Sequence, residues 1–84
     1  MKASLDISLY PLNEEYKPAI KSFIKRCDAH KDVDVFPNRM STQVFGELKD
    51  IMSMLEKEVE RSWEKYGSSV FVLKLFKGDR RPDA

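Results

Sequence analysis

Seven side chains in this sequence have the chemistry of a small-molecule binding site. An aspartate can accept hydrogen bonds or balance a positive charge, hydroxyl and amide groups can hydrogen-bond the edge of a ring, and a tyrosine can stack on a flat cation. The single histidine, His30, has no serine or cysteine placed to act with it, so a catalytic dyad is not expected. The predicted ligand-binding residues are Asp6, Ser8, Tyr10, Ser41, Thr42, Gln43 and Lys74.

The first three of these residues alternate with apolar residues, which is the pattern of a half-buried β-strand over residues 3–10. One side of this strand is apolar and the other is polar. The apolar side carries Ala3, Leu5, Ile7 and Leu9, and the polar side carries Ser4, Asp6, Ser8 and Tyr10. We expect the apolar side to face the helices, which leaves the predicted binding residues on the helix-free side.

Two segments have the three-and-four spacing of apolar residues that predicts amphipathic helices. The first runs from about Glu15 to Ala29, with Asn13 as its predicted cap. The second follows Gly46, predicted to break the preceding strand, and stops at Gly67. Opposite charges three residues apart predict a solvated surface on the second helix, with Glu58 and Arg61 as one such pair. Its predicted buried stripe is Leu48, Ile51, Met52, Leu55, Val59, Trp63 and Tyr66.

Three further strands are predicted, over Val33 to Phe36, Met40 to Phe45 and Val70 to Phe76. The order strand, helix, strand, strand, helix, strand favours a ferredoxin-like α+β sandwich, in which four antiparallel strands carry both helices on one face. We expect a single domain over residues 1–78 and a polar tail over residues 79–84.

The last strand is apolar on both of its alternating faces. Phe71, Leu73 and Leu75 line one side, and the other side carries Val70, Val72, Lys74 and Phe76. Because the first and last strands are neighbours in this fold, we expect Val72, Lys74 and Phe76 to share the helix-free face with Asp6. Two helices can cover only one face of a sheet, so the second face requires a partner surface or a ligand. A structural role is the alternative for Lys74, because an ion pair with Asp6 across neighbouring strands would stabilise the sheet without binding a ligand.

Composition and charge exclude several classes of protein. The 84 residues carry a net charge of +1, which provides no global field for nucleic acid, and no segment is long and apolar enough to span a membrane. A charged residue, Asp6, precedes any apolar run of signal-peptide length. The single cysteine, Cys27, cannot form an internal disulfide. We expect a cytoplasmic protein without a nucleic-acid or membrane partner.

A cluster of potential metal ligands stands between the first helix and the second strand. These residues have no recognised ligand spacing and lie where a polar loop is expected, so metal binding is a minor alternative. They are Cys27, Asp28, His30, Asp32 and Asp34.

Three short motifs, in this order, resemble the landmarks of the YkoF-like thiamine and hydroxymethylpyrimidine binding proteins. The first motif is Ile7-Ser8-Leu9-Tyr10-Pro11-Leu12, the second is Met40-Ser41-Thr42 followed closely by Gly46, and the third is Phe76-Lys77-Gly78. The resemblance spans roughly residues 5 to 79. The residues after Gly78 depart from YkoF and look closer to the tail of the related thiamine-binding superfamily.

The resemblance implies a ferredoxin-like fold, non-catalytic binding of thiamine or its pyrimidine precursor, and sheets packed in pairs. YkoF carries two such repeats in one chain, whereas this chain carries one, so a homodimer or a higher homo-oligomer would replace the tandem pair. No cofactor is implied besides the ligand itself. An ACT-like regulatory or protein-interaction domain that binds another metabolite or partner is the alternative. An RNA-binding domain of similar topology lacks support, because the chain has neither the charge nor the aromatic signature.

Overall fold

A computed structural model describes residues 1–82 of the chain. Asp83 and Ala84, the end of the predicted tail, lie outside the described residues. The strands pair antiparallel in the order β2-β3-β1-β4, which confirms the predicted ferredoxin-like sandwich. The elements are β1 (Lys2–Pro11), α1 (Lys17–Asp28), β2 (Val33–Pro37), β3 (Thr42–Glu47), α2 (Leu48–Tyr66) and β4 (Ser69–Lys77).

Neither helix of the described chain is long and apolar enough to cross a bilayer.

The alternation predicted for the first strand is confirmed by burial and by register. Ala3, Leu5 and Ile7 are buried in the core between the sheet and the helices. Residues directly opposite in an antiparallel pair share a face, and β4 places Leu73 opposite Ile7 and Lys74 opposite Asp6. The predicted assignment of the two faces of β4 is therefore correct.

Two of the predicted element boundaries are wrong. Helix α1 begins at Lys17, after an N-cap residue, Tyr16, that makes no side-chain capping bond, so Asn13 does not cap it. Gly46 does not break the third strand but pairs with Val33 inside it. A Cβ at position 46 would lie 3.1 Å from the backbone oxygen of Asp32, which explains a glycine in a strand at this close approach.

The predicted buried stripe of α2 is confirmed for Ile51, against which Leu48, Leu55 and Val59 pack partly buried, but it is wrong for two residues. Met52 and Trp63 are about half exposed, at 45% and 50%, whereas Met54 and Glu58 are buried. The apolar pattern missed this face because a charged residue and a serine complete it. The fully buried positions of α2 are Ile51, Met54, Glu58 and Ser62. The end of the helix is as predicted, with Gly67 at φ 80° donating its N–H to the Trp63 carbonyl.

The Cys27 thiol is expected to be unreactive in the folded protein. Burial, and then the nearby Glu58 carboxylate, raise its pKa from 9.0 to about 12, although Arg26 opposes the shift. A rise of three units leaves about 1,000-fold less thiolate at pH 8. Ellman's reagent should therefore react with Cys27 at the rate of global unfolding, and within seconds in guanidinium chloride. Rapid labelling of the native protein would contradict this burial.

Candidate functional site

A cleft opens at one end of the sheet because β1 extends beyond β3. The β1–β3 ladder ends at the pair of Ile7 with Thr42, whereas the β1–β4 ladder continues to the pair of Pro11 with Ser69. The last four residues of β1 therefore have a neighbouring strand on one side only. The space on the other side is a cleft of about 350 Å³, within the usual range for small-molecule sites.

The tip of the β2–β3 hairpin forms one wall of this cleft. The side-chain oxygen of Asn38 accepts hydrogen bonds from the N–H groups of Met40 and Ser41 at 2.8 and 2.9 Å, and the Asn38 N–H donates to the Ser41 carbonyl at 2.9 Å. This local bonding is the reason asparagine suits a tight turn. Ser8 connects the wall to β1, because its hydroxyl donates to the Met40 carbonyl at 3.3 Å.

Helix α1 and the residue before it supply an apolar floor. Phe23 is buried and packs against Phe71 with ring centroids 5.1 Å apart, so the floor is anchored to β4 as well as to α1. The remaining apolar lining residues on this side are Tyr16, Ile20 and Ile24.

The free edge of β1 presents backbone hydrogen-bonding groups to the cleft. Lys2 accepts from the Gly78 N–H and Leu12 donates to the Ser68 carbonyl, both toward the β4 side. Backbone groups alternate in direction along an antiparallel strand, so even-numbered residues of β1 bond to β4 and odd-numbered residues point toward β3. Leu9 is odd-numbered and lies beyond the last β1–β3 pair. Its N–H and C=O therefore point into the cleft.

The structure brings four of the predicted binding residues to this cleft. Ser8, Tyr10, Ser41 and Thr42 all line it. Thr42 is buried and pairs with Ile7 on the helix side, whereas Ser41 bonds to a residue of the opposite face. Because the two residues stand at the very start of β3, both can reach one cleft from opposite faces.

The other three predicted residues form a row on the helix-free face, beside the cleft. Asp6 stands in the middle of the row, with Gln43 opposite it on β3 and Lys74 opposite it on β4. The Ser41 hydroxyl donates to Asp6 Oδ1 at 2.6 Å, which links the row to the cleft wall. Among the described residues no ion pair within 4.0 Å joins Asp6 to Lys74.

Sequence reasoning missed the helix and backbone parts of the cleft. Tyr16 and Ile20 stand four residues apart, a spacing that placed them on the apolar stripe of α1 but did not show that the stripe is left open at its start. The free backbone of Leu9 has no signature in the sequence, because it depends on the relative lengths of two strands.

A group of charged side chains that includes His30 lies between the helices, away from the cleft. Glu58 is buried and accepts from Arg26 Nε at 2.9 Å, from His30 Nε2 at 2.6 Å and from Arg61 at 3.3 Å. Arg26 also bonds to Ser22. Burial raises the pKa of Glu58, but the hydrogen bonds from His30 and Arg26 and the charge of Arg61 outweigh it and hold the pKa below 4.5. Predicting a solvated Glu58–Arg61 pair was therefore wrong.

The described residues, 1–82, contain no group of three or more His, Cys, Asp and Glu side chains placed to hold a metal ion.

The C-terminal residues fold back over one end of the helix-free face. Ser4 donates to the Gly78 carbonyl and accepts from the Arg80 N–H, both at 2.8 Å. Arg81 stacks on Phe45, with its guanidinium carbon 4.9 Å from the ring centroid, and pairs with Asp34 at 3.1 Å. This end of the face is therefore covered by the chain itself, while the end near Tyr10 and Val72 remains exposed.

Comparison with known proteins identifies the family. The chain belongs to the YKOF-related family, whose model matches residues 2–73. No curated protein sequence matches the chain significantly.

Several solved structures share the fold. A protein of Thermotoga maritima described as a "putative thiamine biosynthesis/salvage protein" superposes with a TM-score of 0.82 and 18% identity, over 93% of this chain and 85% of that one. A hypothetical protein of Methanocaldococcus jannascii gives a TM-score of 0.80 and 20% identity, over 99% of this chain and 87% of that one. A protein of Streptococcus pneumoniae gives a TM-score of 0.75 and 20% identity, over 95% of this chain and 90% of that one.

Proposed function

We propose that the chain binds thiamine or its hydroxymethylpyrimidine moiety in the cleft between β1, α1 and the β2–β3 hairpin, without catalysing a reaction. The observation that carries this proposal is the combination of an apolar slot with a free strand edge. The family and the description of the Thermotoga maritima neighbour point to the same ligand class.

The aminopyrimidine suits the slot by shape and by hydrogen bonding. It is a flat ring with an exocyclic amine donor beside ring-nitrogen acceptors, and the Leu9 backbone offers one acceptor and one donor side by side. The floor residues Ile20 and Ile24 lie side by side on one face of α1 and can contact one flat surface of the ring. The hydroxyls of Ser41 and Thr42 are available to the ring edges.

The thiazolium of thiamine carries a positive charge, and the cleft mouth has two groups to receive it. The Tyr10 side chain is 56% exposed at the rim, where its ring can stack on a flat cation. The Asp6 carboxylate, held by Ser41 at 2.6 Å, supplies a negative charge beside the wall. Hydroxymethylpyrimidine lacks the cation and would use the slot alone.

The lining of the cleft supports binding rather than catalysis. Among the described lining residues the ionisable side chains are Tyr10, Tyr16 and Arg39, and none is a carboxylate, histidine or cysteine. General acid–base or nucleophilic chemistry usually relies on such groups. We infer a carrier, buffer or sensor, placed in the cytoplasm, where its single cysteine stays a thiol.

The exposed part of the helix-free face supports a homodimer. Val70, Val72 and Phe76 are 46%, 53% and 44% exposed on this side of the edge strand. Apolar surface of this kind is typical of an interface. A second copy packed face to face would cover it.

Isothermal titration calorimetry with thiamine and with hydroxymethylpyrimidine tests the ligand directly. Asp6→Ala should weaken thiamine binding about 10- to 150-fold, the range of one charge-assisted contact, because the cation loses its counter-charge. Binding of hydroxymethylpyrimidine should fall less.

Lys77→Ala, at the far end of the sheet, is the matched control and should leave both affinities unchanged. No heat from either ligand with the unmodified protein would remove the proposed function. An unchanged thiamine affinity in Asp6→Ala would assign Asp6 a structural role in holding Ser41.

A further inference from the structure

An open depression lies between α1 and α2, on the helix side of the molecule and apart from the cleft. Its described lining consists of three cations, one hydroxyl-bearing residue and one carboxylate. These residues are Ser22, Arg26, Arg61, Glu64 and Lys65. None of them lines the cleft or belongs to a strand, so this inter-helix depression is independent of both the cleft and the sheet.

Helical spacing brings the polar side chains of the depression together. Ser22 and Arg26 are four residues apart on α1, so they lie on the same side of that helix. Arg61 and Lys65 have the same spacing on α2. Both arginines donate to the buried Glu58, Arg26 at 2.9 Å and Arg61 at 3.3 Å, which holds the two pairs against each other. The depression is therefore formed by packed helices rather than by loops.

The Arg26 guanidinium has one donor group to spare at this site. Its Nε donates to Glu58 and its Nη1 donates to the Ser22 hydroxyl. Its Nη2 is buried and has no acceptor, and it is the only such side-chain nitrogen or oxygen in residues 1–82. A charged donor that is buried without an acceptor is costly. An anion that enters the depression beside Arg26 would supply the missing acceptor.

The positive charge of the lining exceeds the negative charge near it. Three of the five lining residues are cations. Glu58 offsets one of them, but its two carboxylate oxygens already accept hydrogen bonds from three donors. Glu64 is exposed, so water and salt weaken its interaction with the remaining cations. The depression therefore favours an anion, and one that carries more than a single charge.

Tyr66, next to the depression, responds to the same positive charge. A hydrogen bond with Ser22, and then the charges of Lys65 and Arg26, hold the pKa of the Tyr66 hydroxyl below 10.0, although desolvation opposes the shift. The Lys65 ammonium also lies 5.4 Å from the centroid of the Tyr66 ring. Surroundings that favour the tyrosinate oxygen favour other oxyanions as well.

We propose that the inter-helix depression binds a phosphate group, either as the free ion or as the monoester of a small molecule. A phosphate dianion carries more charge and more acceptor oxygens than a carboxylate, and planar guanidinium groups match pairs of its oxygens. The Arg61 side chain is 55% exposed and can turn its donors toward the anion. Lys65 adds a point charge, and the Ser22 hydroxyl adds a further hydrogen-bonding group.

Isothermal titration calorimetry with inorganic phosphate and with phenyl phosphate, at constant ionic strength, tests the site. Saturable binding of one anion per chain is expected. Lys65→Ala should weaken it about 10-fold, the lower end for a charge-assisted hydrogen bond, because the site loses a cation. Arg61→Lys should also weaken it, because an ammonium cannot replace the guanidinium fork. Lys57→Ala is the matched control, since Lys57 is exposed on α2 outside the depression, and it should leave the affinity unchanged.

Backbone amide spectra by nuclear magnetic resonance locate the bound anion. Phosphate should shift the amides of residues 22–26 and 61–66, whereas shifts confined to residues 38–42 would place the anion at the cleft and overturn the proposal. Equal weakening by Lys57→Ala and Lys65→Ala, or no heat from either anion up to about 10 mM, would overturn it too. Tighter binding of phenyl phosphate would identify a phosphorylated small molecule as the occupant, and tighter binding of inorganic phosphate would identify the free ion.

Discussion

Replacing Glu58 by alanine is expected to lower the free energy of unfolding by about 3–5 kcal/mol. A domain of this size is stable by roughly 4–12 kcal/mol, so the variant should be close to unfolding at 37 °C. Urea denaturation followed by circular dichroism measures the change. The expected loss is large because Glu58 is the common partner of Arg26, His30 and Arg61.

The magnitude follows from what remains when the carboxylate is removed. The Arg26 side chain is only 20% exposed, and its Nη2 atom is buried without a hydrogen-bond partner among the described residues. Without Glu58 its positive charge would be buried and uncompensated. His30 and Arg61 are less affected, because they can turn toward solvent.

A compensating variant separates the charge effect from the loss of packing. Glu58→Leu combined with Arg26→Met removes both buried charges and keeps the volume, so it should recover most of the lost stability. Glu64→Ala, exposed on the same helix, should change stability by no more than about 0.5 kcal/mol. A Glu58→Ala variant within about 1 kcal/mol of the unmodified protein would contradict the role of this group.

The pH dependence of stability is a second test of the role of Glu58. The pKa of Glu58 is lower in the folded than in the unfolded chain, so its contribution is fully present above about pH 4.5 and is lost as the pH falls through the folded value. The free energy of unfolding should therefore fall less steeply below about pH 4.5 in the variant that combines Glu58→Leu with Arg26→Met. If the free energy of unfolding falls equally steeply at acid pH in the unmodified protein and in this variant, carboxylates other than Glu58 cause the acid unfolding.

Glu58 also shows why sequence reasoning succeeded for the sheet and failed for part of the buried face of α2. The strand face of Leu5 and Ile7 follows from a period of two, which the local chain geometry imposes. The burial of Glu58 on α2 is accompanied by hydrogen bonds from Arg26 and His30, which are about 30 residues away in the chain. Glu58 is seven residues from Ile51 and four from Met54, so its position on the stripe was visible, but its charge argued against burial.

The candidate site also has a part that the sequence predicts and a part that it does not. The side chains of Asp6, Ser8 and Ser41 were predictable because strand alternation and turn chemistry place them. The cleft itself was not, because it exists only where β1 extends past Thr42 and α1 leaves a gap beside it. Whether these side chains bind a ligand stays a prediction.

Val72→Asp is expected to break the face-to-face contact and raise its dissociation constant at least about 100-fold, or about 2.7 kcal/mol. Burying Val70, Val72 and Phe76 should contribute about 1.5–3 kcal/mol each before ordering costs. A carboxylate in the middle of that surface would be desolvated without a partner. Sedimentation velocity over 5–500 µM measures the shift.

Neighbouring positions on β4 make this result specific. Val72 and Leu73 point to opposite faces of the sheet, so Leu73→Asp, on the helix side, should leave the face-to-face dimer intact. Lys57→Asp, exposed on α2, controls for the change in net charge. If Val72→Asp keeps the mass of the unmodified protein, the helix-free face is not an interface, and the apolar side chains that remain there must be covered by the ligand or by water alone.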